Sequence, residues 1–222
     1  MTIEVNQLIR SKRKTLALIV KADGSLIVRA PLRASQKSIR EFVENNAKWI
    51  EKKRAEVLTF LRPLPKQYIP GELLLYLGEA YPLEIVKRQE KALLLDEKFK
   101  LAEAAQGNAK AAFEHWYREQ AKQVLSERVQ LYADQYGLQY KKIGITSART
   151  RWGSCGTNGS LNFSWRLILA PLTVIDYVVV HELAHTLHHN HSQRFWKRVE
   201  KIMPDYKERR KWLRKDGQQL ML

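Results

Sequence analysis

The feature that most constrains this chain of 222 residues is a pair of histidines four apart, His181 and His185, with Glu182 between them. Residues at this spacing lie one turn apart on the same face of an α-helix. Both imidazoles can then reach one metal ion at about 2.0–2.1 Å, and the glutamate can deprotonate a water that the ion holds. Five of the six histidines fall within residues 181–191, a density that a solvated surface helix does not require. The spacing therefore predicts a metal site built on a helix.

The segment before the first histidine must be helical for this site to form, although residues 174–180 have the composition of a strand. Pro171 precedes the segment, and Thr173 with Asp176 matches a capping pair, which favours a helix start. Apolar residues and both histidines recur at helical spacing, so the helix is expected to be buried. Burying two histidines without partners is costly, and a metal removes that cost. The competing interpretation is a pair of core histidines bonded to backbone carbonyls.

A third ligand requires a break in this helix. A continuous helix would carry His191 about 15 Å along the axis from the first histidine and turn it to another face. A break after about residue 187, followed by a new helix over residues 193–203, would return His191 to the metal. The alternatives for the third ligand are His188 and, more distantly, Glu200.

Motifs on both sides of the two histidines extend this pattern. RWGSC occupies residues 151–155, and SQRFW follows His191 at residues 192–196. With these motifs the chain resembles the YgjP-like, or DUF45-type, metal-dependent hydrolases, which are similar in their core to the SprT-like and WLM zinc metallopeptidases. The resemblance covers most of residues 140–215 and extends loosely over the first 135 residues.

The resemblance implies a zincin-like fold and a ligand set. It implies that His181, His185 and His191 bind one zinc ion per chain and that Glu182 is the catalytic base. Zinc suits three imidazoles with one open position. The ligand spacing equals that of the metzincins, but His188 stands where they have a turn glycine, which leaves the turn geometry open.

The composition limits where such a protein works. No apolar run approaches 18 residues, so the sequence predicts no membrane-spanning helix. The first residues are not arranged like a secretory signal. The single cysteine, Cys155, allows no internal disulfide and suits a reducing compartment, and we expect it to be a small buried residue. A cytoplasmic location is the resulting prediction.

The net charge of +16 favours anionic partners. The densest basic run lies within residues 207–215, and the plainest interpretation of it is the solvated face of a helix between Asp205 and Gly217. The alternative is weak, sequence-independent contact with nucleic acid. No sequence signature of a DNA-binding module accompanies the charge.

The order of predicted elements indicates an α+β protein with two parts. Residues 1–105 are predicted to form an N-terminal β-rich lobe with one helical segment, and residues 106–222 a zincin-like, metal-binding catalytic domain. In the second part a helix is predicted over residues 109–136, and strands follow before the metal helix. The strand over residues 151–155 is the candidate edge strand for pairing with an extended substrate.

Three functions remain open at this point. The first is a zinc-dependent hydrolase, a metallopeptidase in which Glu182 acts on a metal-activated water. The second is a metal-dependent phosphohydrolase of the nucleoside triphosphate pyrophosphatase type, and the third is a non-enzymatic, zinc-stabilised nucleic-acid-binding protein. Arg151, Arg166 and Tyr177 are the candidates for binding substrate or stabilising the transition state, and the sequence does not rank them.

Overall fold

The computed structural model of the protein describes residues 3–21, 23–59 and 65–220, and it has a mixed α+β fold. The helices are α1 (Gln36–Asn45), α2 (Ala47–Thr59), α3 (Ala109–Tyr136), α4 (Leu172–Ala184), α5 (Gln193–Ile202) and α6 (Tyr206–Lys215). The strands are β1 (Gln7–Ser11), β2 (Ala17–Val20), β3 (Leu26–Pro31), β4 (Leu73–Tyr76), β5 (Glu79–Val86), β6 (Leu93–Leu95), β7 (Phe99–Ala102), β8 (Lys142–Thr146), β9 (Gly153–Cys155) and β10 (Ser160–Ser164). Within the described ranges, no helix is both long enough and apolar enough to cross a bilayer.

The chain divides into two compact units, Met1–Pro63 and Leu64–Leu222. In the first, β3 lies between β1, with which it is parallel, and β2, with which it forms the hairpin that the sequence predicts around Gly24. Gly24 has φ of 80°, a conformation that glycine adopts without strain. Ser35 caps α1, and this helix packs with α2 and the sheet around a small apolar core.

The second unit contains two sheets and a larger core. One sheet has the strand order β4-β5-β7-β6 and the other has the order β8-β10-β9. Helix α3, which has the predicted bounds, packs on both α4 and the turn that precedes α4. The predicted boundary at residue 105 falls inside this unit. The reason is that Phe99 of β7 is fully buried against Phe113 and Tyr117 of α3, with ring centroids 5.1 and 6.0 Å apart.

Helix α4 runs through the core of the second unit. All seven residues from 174 to 180 are buried, which explains why a segment of strand-like composition is stable as a helix here. The helix begins at Leu172 after Pro171, without a side-chain cap, so the sequence-based assignment of Thr173 and Asp176 as a capping pair is wrong. Asp176 instead accepts two hydrogen bonds from Arg128 of α3, at 2.6 and 2.9 Å, and this ion pair joins the two helices.

The turn between β4 and β5 lies against the start of α4. The Leu77 amide donates a hydrogen bond to the Ile168 carbonyl at 2.9 Å. Gly78 has φ of 88°, and a Cβ at this position would lie 2.8 Å from the Cα atom of Pro171. Only glycine allows this close approach, so the hairpin fixes the point at which α4 begins.

Candidate metal centre

Three imidazoles converge where α4 ends. His181 lies in the last turn of α4, and His185 is the residue that directly follows the helix. The chain then leaves the helix, and His191 comes from the loop before α5, as the sequence predicts. The Nε2 atom of His191 lies 3.0 Å from Nε2 of His181 and 3.2 Å from Nε2 of His185. One nitrogen from each ring therefore points to a common centre, with all three within 4.8 Å of one another.

The spacing of these nitrogens fits a metal ion. In a tetrahedral site with metal–nitrogen distances of about 2.0–2.1 Å, ligand nitrogens lie about 3.3–3.4 Å apart. The two distances from His191 are within about 0.4 Å of that range. Since imidazole nitrogens are preferred by zinc and other borderline transition metals, the donor set suits such an ion better than calcium or magnesium.

The protonation states of the rings also suit metal binding. His185 Nδ1 lies 2.9 Å from the His188 carbonyl oxygen, which only accepts, so Nδ1 carries the hydrogen and Nε2 keeps its lone pair. Burial, together with the neighbouring His185 and His191 rings, lowers the pKa of His181 to about 3, and burial also lowers the pKa of His185. His181 and His185 are therefore neutral at neutral pH, as metal ligands must be. A cation at the centre would satisfy lone pairs that otherwise face one another.

Two aromatic residues of α5 hold the imidazoles in place. Phe195 is fully buried, and its ring stacks on His185 with centroids 4.4 Å apart and meets His181 edge-on at 4.9 Å. Trp196 stacks on His191 at 5.6 Å, with an interplanar angle of 23°. These rings restrict the side-chain angles of all three histidines, so the cluster is preorganised. The residues belong to the SQRFW motif, but the spacing of the histidines alone does not identify them.

Glu182 directly follows His181, and its side chain packs against β9. The side chain is 6% exposed, and the backbone of Gly153 leaves it so little room that a Cβ there would lie 2.6 Å from both Cγ and Oε1. Burial raises the pKa of Glu182 to about 7, while the positive charge of Arg151 opposes the shift. A cation among the histidines would favour the carboxylate further. No local sequence pattern distinguishes Gly153, because its contact with Glu182 is made only in the folded chain.

The three candidates for substrate contact occupy different positions. Tyr177 is buried one turn before His181, with ring centroids 5.9 Å apart, and burial raises its pKa to about 12. Arg151 is exposed and lies close enough to Glu182 to lower its pKa. Arg166 is partly buried: its guanidinium lies 4.2 Å from the Trp165 ring centroid and donates to a backbone carbonyl.

The other residues considered as ligands lie elsewhere. Among the described residues, the group that could hold a metal includes neither His188 nor Glu200. His188 contributes its backbone carbonyl to His185, and Glu200 forms an ion pair with Lys207 at 3.4 Å. Cys155 is partly rather than fully buried, and burial raises the pKa of its thiol, so it lacks the character of a reactive thiolate.

The basic run near the C-terminus lies on α6, and some of its residues contact other parts of the fold. Arg209 pairs with Asp205 at 2.6 Å and donates to the Thr173 carbonyl, which ties α6 to the first turn of α4. Arg210 lies over the Trp196 ring at 4.6 Å, and its charge contributes to the low pKa of His181. Two of the cations in the run therefore have partners within the fold, and one of them, Arg210, lies near the candidate metal centre.

Strand β9 is an edge strand beside the metal centre. It pairs with β10 on one side and contacts α4 through Gly153, and in the strand order β8-β10-β9 its other side has no partner strand among the described residues. It begins at Gly153, two residues later than the predicted strand over residues 151–155, although the Trp152 carbonyl still accepts a hydrogen bond from the Ser164 amide of β10 at 2.8 Å. An extended chain could add to this open edge.

Comparison with known proteins agrees with this geometry. The family model described as YgjP-like, metallopeptidase domain, matches residues 14–216. No curated protein matches the chain. Among solved structures, the crystal structure of the metallopeptidase zymogen of Pyrococcus abyssi abylysin aligns with a TM-score of 0.38 and 22% sequence identity, over 42% of this chain and 95% of that chain.

Proposed function

The chain belongs to the YgjP-like family of metal-dependent hydrolases, and on that premise we propose that it is a zinc-dependent peptidase. His181, His185 and His191 hold one zinc ion per chain, and Glu182 is the general base. The substrate is a peptide in extended conformation that pairs with the open edge of β9.

One observation supports the proposal most strongly: the buried carboxyl of Glu182 directly follows His181 in α4, and His181, His185 and His191 each turn one imidazole nitrogen to a common centre. A purely structural zinc site needs ligands but no adjacent base, and such a site is usually closed by a fourth ligand. The described residues provide three ligand atoms here and no fourth. The arrangement thus leaves one position for a water or a substrate group.

Glu182 and Arg151 have different roles in the proposed reaction. A bound zinc ion supplies Lewis acidity, which lowers the pKa of water and polarises a carbonyl. Glu182 accepts the proton of the attacking water and later delivers it to the leaving amine. Its carboxyl is held against Gly153, so a peptide bond aligned on β9 lies within its reach. Arg151 is the member of the three candidates whose charge acts on Glu182, and we assign it the stabilisation of the negative charge that develops on the carbonyl oxygen.

The proposed cellular location follows from the cysteine content. A protein with one cysteine forms no internal disulfide and is suited to the reducing cytoplasm, where we place this enzyme. The proposed peptidase function does not require nucleic acid, and two residues of the densest basic run, Arg209 and Arg210, already have partners within the fold.

The test compares zinc-loaded wild-type protein with the Glu182→Gln and His191→Ala variants on a peptide library read by mass spectrometry. Glu182→Gln is nearly isosteric, so it should keep its zinc while turnover falls about 10²–10⁴-fold. His191→Ala should lose both zinc and activity. Near-wild-type turnover in Glu182→Gln would remove the proposed base. Hydrolysis of nucleoside triphosphates but of no peptide, with the same dependence on Glu182, would replace the peptidase by a phosphohydrolase.

A further inference from the structure

A cavity of about 490 Å³ lies at the start of β9 and is lined by four arginines: Arg149, Arg151, Arg166 and Arg214. None of the residues that line it is acidic. We call this cavity the arginine pocket. A cavity of this size accepts one or two amino-acid side chains, and its lining has a formal charge of +4.

The net charge of the arginine pocket stays positive: Glu182 acts electrostatically on Arg151 and Glu114 on Arg166, but neither forms an ion pair with them among the residues that the structure describes. Arg149, Arg151 and Arg214 are exposed and form no hydrogen bond or ion pair with another residue that the structure describes. Nearby like charges in a concave site raise the local concentration of anions. The pocket therefore attracts a negative group from outside the chain.

Arg166 gives the pocket a fixed cation. Its Nη1 atom donates to the Ser147 carbonyl at 3.1 Å, and its guanidinium lies over the Trp165 ring. Burial and the charge of Arg149 lower its pKa, whereas Glu114 raises it, and a guanidinium stays charged throughout the physiological range. A side chain held in this way loses little entropy when it binds an anion.

The remaining surface of the pocket is partly apolar. Trp152 and Leu213 line it together with the arginines. Gly217 allows the indole of Trp152 to pack closely, because a Cβ at residue 217 would lie 3.1 Å from Cζ2 of the ring. Guanidinium groups above an apolar surface match a ligand that has an aliphatic stem and an anionic end.

The arginine pocket adjoins the candidate catalytic centre. Arg151 and Trp152 directly precede Gly153, which touches Glu182. In an extended chain two residues span about 7 Å, so the pocket lies within one or two substrate residues of the bond that Glu182 can reach. A substrate antiparallel to β9, the commoner pairing, places residues on the C-terminal side of that bond next to the pocket.

We propose that the arginine pocket binds a carboxylate of the peptide substrate, located one or two residues on the C-terminal side of the cleaved bond. The carboxylate belongs either to an Asp or Glu side chain or to the C-terminus of the peptide. The inference rests on the proposed peptidase function and adds a substrate class to it: acidic peptides, or peptides cut close to their C-terminus.

The test uses zinc-loaded full-length protein and compares wild type with the double variant Arg149→Gln/Arg214→Gln. Both arginines lie outside the proposed zinc site. The matched control is Arg29→Gln/Arg33→Gln, which removes the same charge from exposed positions in the first unit. A peptide library identifies cleaved sites, and synthetic peptides then compare Glu with Gln and a free C-terminus with an amide at the selected position.

The expected result is a kcat/KM about tenfold or more higher for the carboxylate-bearing peptide, equivalent to at least about 1.4 kcal/mol. This preference should fall below about threefold in Arg149→Gln/Arg214→Gln and persist in the control. The Glu-for-Gln and amide comparisons identify which carboxylate the pocket binds. Peptide cleavage without such a preference, or with one that survives in the double variant, overturns the inference and leaves the peptidase proposal intact.

A direct binding measurement separates the inference from the proposed function. Titration calorimetry with a short polyglutamate peptide and with inorganic tripolyphosphate does not require turnover. Binding of the peptide that is lost in the double variant and retained in the control supports the inference even if no peptide is cleaved. Binding of tripolyphosphate alone, with the same dependence on Arg149 and Arg214, assigns the pocket to phosphate and refutes the carboxylate.

Discussion

Replacing Gly153 by alanine tests whether the carboxyl of Glu182 is positioned by β9. The added Cβ would lie 2.6 Å from Cγ and Oε1 of Glu182 and 2.9 Å from Cδ, whereas ordinary contacts begin at 3.4 Å. The backbone at residue 153 does not have the positive φ that disfavours alanine. The three atoms nearest to the added Cβ all belong to the Glu182 side chain. Relieving the conflict requires this side chain to shift by about 0.8 Å. A displacement of this size can lower the catalytic rate up to about 10²-fold.

We expect Gly153→Ala to keep its zinc, because the three histidines are not displaced, and to lose activity by about 10–100-fold in kcat/KM. Overpacking at a filled site also lowers the free energy of unfolding, by about 1–3 kcal/mol. The assay combines metal analysis, peptide hydrolysis and urea denaturation. Gly107→Ala is the matched control, since a Cβ at residue 107 meets nothing within 4 Å.

The same substitution in a Glu182→Ala background tests whether the collision with Glu182 causes the loss of stability. In Glu182→Ala the atoms that collide with the new Cβ are absent, so adding Gly153→Ala should cost little further stability. If Gly153→Ala retains wild-type activity, or if its stability cost is equally large in the Glu182→Ala background, the contact does not position the base and the reasoning is refuted.

Three further predictions concern the ligands, the core and alkaline stability. His191→Ala should lose zinc, as measured by elemental analysis. His188→Ala should retain zinc, because His188 contacts the histidine cluster through its backbone carbonyl. The opposite result would make His188 the third ligand. Arg128→Gln should lower the free energy of unfolding by about 3 kcal/mol in urea, since it leaves the buried Asp176 carboxylate without its partner; a loss below about 1 kcal/mol would contradict this. Burial raises the pKa of Tyr68 to about 12, and its buried hydroxyl has no hydrogen-bond partner among the described residues. The unfolded chain therefore ionises first, and stability falls as the pH rises from about 10 to 12, at up to about 1.4 kcal/mol per pH unit for this group. Tyr68→Phe should weaken this fall, and an unchanged slope would contradict it.

The convergence of two of the three histidines could be predicted from sequence because its geometry is local: His181 and His185 come together through helical spacing alone. His191 joins them only if the helix breaks before it, and the sequence left His188 and Glu200 as alternatives. The same holds for elements with strong local signals, such as α3, which ends at Gly137 in the left-handed conformation. Where hydrophobic periodicity and capping residues indicate the same helix, the local sequence is sufficient to predict it.

The features that the sequence did not reveal depend on contacts between distant segments. Gly153 and Glu182 are 29 residues apart, and no local pattern relates them. Asp176 fitted a capping pattern, but a buried ion pair with Arg128 is made instead. The arginine pocket gathers residues from three segments whose charges, read along the chain, are indistinguishable from a solvated surface.

The contact between Gly78 and Pro171 bears on how small a working fragment of this protein can be. A helix that begins at Leu172 carries His181 about 14 Å from its start, so a small rotation at that start is enlarged at the ligands. The β4–β5 turn, which blocks such a rotation, lies well before the predicted catalytic half. A fragment cut at residue 106 lacks this support, and the shortest fragment expected to keep its zinc affinity begins before β4, near residue 65.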